Sequence, residues 1–290
     1  MKFSELPEGR NPSGFKDGLH NPHVEGSGAN PPPDYDTTVK PDEFIMGYPD
    51  ELGQTATNPE PEVLRRNGTF IAVRKFHTKV AAFRKFLREQ ASSHEEEELI
   101  GRWRSGAPLV LAPEHDDPTL GVDPNRNNNF SYADDMDGLK CPFSAHIRRI
   151  NPRDALKKDL VAVNLHHILR RGTNYGPPLP EGALEDDGIQ RGGVFLLIGA
   201  YIKRQFEFLQ SQWVTDGDFI GHGREQDPII GNNQGDGIFT IPQHPIRRRL
   251  HGLPRFVTVL GGEYCFMPWL RALKWLAALD DKDQRSETLQ

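Results

Sequence analysis

At 290 residues the chain is long for a single domain, yet one large α+β unit still accommodates it. A net charge of -6 and a pI near 6.0 exclude the long-range basic attraction that nucleic acid or an anionic membrane surface requires. Only 36% of residues are hydrophobic and mean hydropathy is -0.62, while 28 glycines and 24 prolines predict long ordered loops around a modest core.

Residues 1–66 show almost no helical or strand periodicity. Pro31, Pro32 and Pro33, with Pro41, Pro49, Pro59 and Pro61, fix φ and remove donors, which predicts an extended loop segment crossing a surface. The folded domain is expected over 67–290. It opens with a strand at Thr69–Phe76, where β-branched and aromatic residues nearly alternate. A helix over His77–Gln90 follows, its stripe of Val80, Phe83 and Leu87 lying opposite Lys79, Arg84, Lys85 and Arg88. A second helix is expected over Glu95–Arg104, then an irregular Pro/Asp/Asn-rich stretch over Pro113–Met136. Val161–Arg171 and Gly193–Tyr201 read as strands, Ile202–Trp213 as a helix, and Arg255–Met267 as a strand broken at Gly261 and Gly262. Trp269–Leu279 closes the chain as a helix. Strand, helix, strand, strand, helix, strand is the order of a ferredoxin-like unit, an antiparallel sheet with helices on one face.

Cys141 and Cys265 are the only cysteines and form no metal or haem-attachment spacing, so buried reduced thiols are the expectation. No apolar run is long enough to span a bilayer. The opening MKFSELPEGRNPSG lacks an apolar signal-peptide core, which leaves a cytoplasmic location as the default. Arg247, Arg248 and Arg249, flanked by His244, Pro245 and Leu250, read as a solvated or salt-bridged turn rather than a phosphate-binding patch.

Three segments carry chemistry in combination. Gly14-Phe15-Lys16-Asp17-Gly18 is a GxxDG sequence, which alone describes many turns. His146 sits in CPFSAHIRRINPR (Cys141–Arg153), where an imidazole after an apolar anchor is a good iron ligand and neighbouring arginines can pair with carboxylates. Arg170 and Arg171 in LRRGTNYG (Leu169–Gly176) would point to opposite faces of a strand, one toward a pocket and one away.

These segments, in this order, resemble the dye-decolourising (DyP-type) haem peroxidases. The resemblance implies a haem b cofactor, hydrogen peroxide as oxidant, and dyes, phenols or other bulky organic reductants as donors. It implies the C-terminal half of a dimeric α+β barrel-type fold, with haem between sheet and loops. His146 takes the place of the axial iron ligand. Arg170 matches the family's distal arginine six positions before a glycine, here Gly176; it is expected, with His146 and Asp227, among the haem-binding residues and would stabilise the negative charge on the departing peroxide oxygen. Asp17 matches the distal acid, which moves a proton from the near to the leaving oxygen and needs partial desolvation and a neighbouring cation. Asp227 in DPIIG is a candidate acceptor for the proximal histidine's ring N–H, and Phe195 a candidate distal wall, though a core role in a central strand is the favoured reading of Phe195. Trp103, Trp213, Trp269, Trp275 and the six tyrosines are candidate electron relays, most of them expected to be core or rim aromatics. Where the family often has proline before the aromatic residue, this chain has Asn174, a departure expected to touch loop stiffness more than chemistry.

Other readings compete. A non-haem metal site built on His20 and His23, or on His166 and His167 with Cys141, lacks any HExxH or carboxylate triad to complete it. A hydrolase lacks a GxSxG. The strongest alternative is an inactive fragment or subunit of such a peroxidase. Complete family members place a whole ferredoxin-like half before GxxDG, and here 13 residues precede it. On that reading one sheet edge and one helix face lie open, inviting aggregation or a homo-oligomer.

Overall fold

A computed structural model of the chain describes residues 9–19, 21–28, 38–90, 94–156, 163–221 and 223–287. Four strands form one fully antiparallel sheet: β1 (Thr69–Thr78), β2 (Leu169–Tyr175), β3 (Gly192–Gly199) and β6 (Val257–Met267), in the spatial order β2-β3-β1-β6. A separate hairpin of β4 (Gly237–Ile241) and β5 (Arg248–Leu253) is inserted before β6. Helix α1 (Val80–Gln90) follows β1, α2 (Glu95–Ile100) and α3 (His146–Ile150) fill the long crossover to β2, and α4 (Leu270–Glu287) ends the chain. The strand order is that of the ferredoxin-like unit expected from periodicity. None of the described helices is long and apolar enough to cross a membrane.

Strand pairing divides the sheet into two faces. Ala72 of β1 lies opposite Leu197 of β3, which lies opposite Arg170 of β2. Because side chains alternate, Phe76, Phe195, Gly172 and Asn174 share that face. The segment after β3 packs onto it, with Phe206 against Ala72 and Leu197. This segment was expected as an ordinary helix. It is instead wound as π-helix over Lys203–Glu207 and Leu209–Val214, a wide geometry that recurs at functional sites.

Several expected boundaries move. Helix α2 stops at Ile100 rather than Arg104 because Gly101 adopts φ 92 and its N–H closes back on Glu97, a left-handed helix end. The strand expected over Val161–Arg171 begins only at Leu169. Val161 and Ala162 lie outside the described residues, and Val163–His166 is a 3-10 turn. Strand β6 runs through Gly261 and Gly262 without a break, absorbing one extra residue as a bulge where Lys75 and Phe76 of β1 face it. Arg248 and Arg249 lie in β5 rather than in a turn, and Arg248 pairs with the buried Glu95 at 2.5 Å. Cys141 is buried, and burial pushes its thiol up to about 12, as for an inert structural cysteine. Cys265 is exposed, contrary to expectation, because it lies on β6, the edge strand of the sheet, whose residues are mostly exposed.

The segment over 38–57 does more than cross a surface. Val39, Phe44 and Met46 are buried in it, as are Asp42, Glu43 and Asp50. Arg204, on the π-helical segment, binds Glu43 at 2.7 Å and Asp50 at 3.0 Å, and the Tyr201 hydroxyl donates to Asp42 at 2.6 Å. Burial, only partly offset by Arg204, pushes Glu43 up to about 7. This cluster pins the π-helical segment from below.

The opposite side of the molecule is open. Val259, Leu260, Tyr264 and Met267 on the edge strand β6, and Trp269, Leu270, Leu273 and Leu276 beyond it, are all exposed. Large aliphatic side chains left in water on an unpaired edge mark a surface that associates readily.

Sheet packing is tight where β1 meets β3. A Cβ at Gly192 would fall 1.8 Å from the Phe76 carbonyl oxygen, which is backbone and has nowhere to go. Gly192→Ala should therefore lower stability by about 3 kcal/mol or more, read as a fall in the urea midpoint. An unchanged midpoint would contradict the β1–β3 register.

Candidate active site

A cavity of about 320 Å³ opens between the sheet face of Phe195 and Leu197, helix α3, the π-helical segment and the GxxDG loop. That size falls within the range of small-molecule and cofactor sites. Asp17, His146 and Arg170, drawn from three distant stretches of sequence, all line it.

Asp17 and Arg170 meet directly. Arg170 Nη2 donates to Asp17 Oδ1 at 2.5 Å, with the two side chains 33% and 25% exposed, so the pair is in reach of a small solute. Arg170 reaches the cavity because β2 turns alternate residues to opposite sides, and Arg171 is exposed as expected. Phe195 stands beside the pair, with the Arg170 guanidinium 5.6 Å from its ring centroid. The ring lies over Gly172, where an added Cβ would come within 2.6 Å of it, so the glycine makes room for the aromatic wall. Phe195 is thus a wall residue and not only a core one.

His146 lines the cavity from the first turn of α3. Its Nδ1 lies 2.9 Å from Asp227 Oδ2. Asp227 is fully buried, and its Oδ1 accepts the backbone N–H groups of Ile229 and Ile230 at 2.9 and 2.8 Å. Burial pushes the Asp227 carboxyl up, but His146, the hydrogen bond between them and the Ile230 N–H together pull harder. The net effect holds it below the usual carboxylate range. An ionised carboxylate only accepts, so Nδ1 carries the ring proton. Nε2 is left over, with no partner among the described residues.

The arginines after His146 do not serve the cavity. Arg148 and Arg149 are both fully buried and turn away from it. Arg148 pairs with Asp135 at 2.8 Å and donates to the Cys141 carbonyl, while Arg149 donates to the carbonyls of Trp213 and Asp216. On one short helix turn, His146, Ile147 and Ile150 take the cavity side and leave the intervening pair to the protein body. Besides Arg170, the cavity wall carries the cations Arg102, Arg153 and Lys16, which the sequence reading did not single out. Arg153 donates to the Phe130 carbonyl at 2.9 Å and to Asn128 Oδ1 at 2.9 Å. Its signal was present as the last residue of the quoted INPR run.

His166 and His167 also line the cavity, on a turn rather than on a strand. His166 stacks on Phe208 at 3.7 Å, and burial lowers the His167 pKa to about 3, so that ring is neutral. His20 lies outside the described residues. Among the described residues, no group of three or more His, Cys, Asp or Glu side chains converges as a metal site. Trp103 and Trp213 are buried, and Trp269 is 48% exposed.

Comparison with known proteins places this geometry. No family model matches the chain. A dye-decolorizing peroxidase of Mycetinis scorodonius is 33% identical over 302 residues, covering 92% of this chain and 56% of that protein. One from Exidia glandulosa is 34% identical over 285 residues, covering 90% and 54%. The chain belongs to the dye-decolorizing peroxidase family. Among solved structures, a dye-decolorizing peroxidase in complex with 2,6-dimethoxyphenol superposes with a TM-score of 0.78 at 30% identity, over 91% of this chain and 63% of that one. An ancestral D-type member gives 0.77 at 32%, over 93% and 64%. The chain spans about half the length of the curated relatives it matches.

The site fits a haem. An apolar cavity offers the His146 imidazole, held at Nδ1 by Asp227 with Nε2 left without a partner among the described residues, and fixed positive charge from Arg102 and Arg153 in the wall for the carboxylates of such a group. Asp227→Ala removes the acceptor for His146 Nδ1 and strands the half-buried N–H groups of Ile229 and Ile230. It should weaken haem affinity by about 10- to 100-fold in a spectrophotometric titration. Unaltered affinity would argue that the Asp227 contact does not orient the ligand.

Proposed function

We propose that this chain acts as a haem-dependent peroxidase, reducing hydrogen peroxide at the expense of one-electron oxidation of phenols, dyes or other bulky organic donors. The observation that carries the reading is the convergence of Asp17, Arg170 and the Asp227-oriented His146 on one apolar cavity. His146 would hold haem b through Nε2. Bound haem supplies an iron and a conjugated ring that together accept the two oxidising equivalents of peroxide.

The protein's own groups handle protons and charge. The Asp17 carboxylate takes the proton from the peroxide oxygen nearer the metal and returns it to the distal oxygen, which leaves as water. The Arg170 guanidinium, already aimed at Asp17, offsets the negative charge that develops on the leaving oxygen. Phe195 narrows the space above the pair, which favours a small oxidant over a bulky one. Two phenolic donors would then each supply one electron and one proton, and with these the second peroxide oxygen would be released as water.

The test is reconstitution of the purified chain with haem. The expected result is a Soret band with one haem per chain and peroxide-dependent oxidation of a phenolic donor. A chain that never acquires a Soret band refutes the reading. The exposed β6 edge and adjoining apolar residues support association with a second protein body, read as a concentration-dependent mass in sedimentation.

A further inference from the structure

We propose that Asn174 is a positioning residue for the proton-handling loop: its side-chain amide clamps the backbone of Arg10 and so holds Asp17 opposite Arg170. The catalytic consequence rests on the peroxidase reading above, whereas the clamp itself stands on geometry alone.

The loop is a small hairpin. Arg10 and Lys16 pair as an antiparallel bridge, Asn11 N–H donates to the Phe15 carbonyl at 2.9 Å, and Asp17 N–H donates to the Gly9 carbonyl at 2.7 Å. Asp17 is therefore tied through its own backbone to the outer arm, the arm that contains Arg10. The tip is anchored separately, by Phe15 buried among Phe83, Phe86 and Phe256, while the Arg10 side chain ties the arm to the Arg104 carbonyl through Nη1 at 2.8 Å. The backbone of the arm beside Asp17 is gripped by Asn174, whose Nδ2 donates to the Arg10 carbonyl oxygen at 2.6 Å. A carbonyl accepts only, so the nitrogen end of the amide must face it.

Asn174 and Arg170 are four residues apart on β2, so both project from the same face, about 13 Å apart along the strand. Both line the cavity, with the Phe195 ring seated over Gly172 between them. One strand thus holds the loop at two points: Arg170 takes the Asp17 carboxylate, and Asn174 takes the arm behind it. On the far side of Asp17, Asn21 Oδ1 accepts the Arg170 backbone N–H at 2.8 Å. Proline at position 174, the residue frequent in the family pattern, has no side-chain donor. The departure first read as a matter of loop stiffness is a strand residue with a contact of its own. Displacing a catalytic group by about 1 Å is enough to cost up to 100-fold in rate, so a single well-placed amide matters here.

The experiment compares Asn174→Leu, Asn174→Asp and Asn174→Gln in the full chain, first without haem and then loaded. In the haem-free protein, amide hydrogen exchange at Asp17 should speed up about tenfold in the Leu and Asp variants, since neither can donate, and return to within about threefold in the Gln variant. In the loaded protein the rate of reaction with peroxide should fall about tenfold in Leu and Asp, with the Soret position and the KM for the organic donor unchanged. Exchange and rate within about twofold of the wild type in both variants would overturn the proposal, as would a Gln variant as impaired as Leu, which would signal shape rather than donation. A wild-type chain that takes up no haem would remove the peroxidase reading, while the exchange data would still decide the clamp.

Discussion

Haem added to the His146→Ala variant should produce no Soret band, the largest effect expected of any single substitution in this chain. His146 is the histidine in the cavity whose tautomer is set by a buried carboxylate, with Nε2 left for iron. His166 lines the same cavity but spends Nδ1 on the Arg204 carbonyl and stacks on Phe208, so it is not poised to substitute. Alanine also strips Asp227 of its partner, and breaking a buried pair costs about 3–5 kcal/mol. Loss of the band in this variant alone would therefore mix ligation with folding. His146→Gln separates them, because its amide can still donate to Asp227 while binding iron poorly. The expected outcome is a folded His146→Gln protein, confirmed by its thermal transition, with no Soret band. A normal band in that variant would show that another group holds the iron.

Asp17→Asn and Arg170→Leu should leave the Soret band in place and slow the reaction with peroxide by about 100- to 10,000-fold for the acid and about 100- to 1,000-fold for the cation. Neither side chain belongs to the His146–Asp227 pair, so haem uptake has no reason to change. The two substitutions act on one proton transfer and one developing charge. The double variant should accordingly be little slower than the worse single one. Stopped-flow mixing with hydrogen peroxide reads all three rates. Wild-type rates in both single variants would sink the roles assigned to the pair, and an additive double variant would show that they act independently.

The chemistry-bearing residues were legible because their types are rare in combination: a GxxDG acid, a histidine framed by CPF and NPR, and an arginine set back from an aromatic–glycine pair. The sheet was legible for a different reason. Thr69–Phe76 nearly alternates β-branched and aromatic residues, Gly193–Tyr201 is a continuous apolar run, and both became strands within two residues of the expected ends. The β4–β5 hairpin was missed because its connection holds His244, Pro245 and Arg247 and lacks the Asn-Gly or Asp-Gly signal of a short hairpin. Strand β2 was placed too early because Val163–Leu165 is apolar enough to imitate a strand, yet it closes as a 3-10 turn.

By itself the sequence determined which groups are available: the acid, the histidine, the two arginines of β2, and an order of elements that permits only a few topologies. It also implied that Arg170 and Arg171 diverge, since that follows from the two-residue period of any strand. Only the tertiary structure decided which groups meet. Arg148 and Arg149 stand closer in sequence to His146 than any other cations, yet helix α3 buries both away from the cavity. Arg102 and Arg153 enter its wall instead. Asp17 lies 153 positions from Arg170 and touches it, and Asn174 lies 164 from Arg10 and grips it. Contacts of that span depend on how a loop docks on a sheet face, a matter of packing and hydrogen-bond geometry that no local pattern encodes.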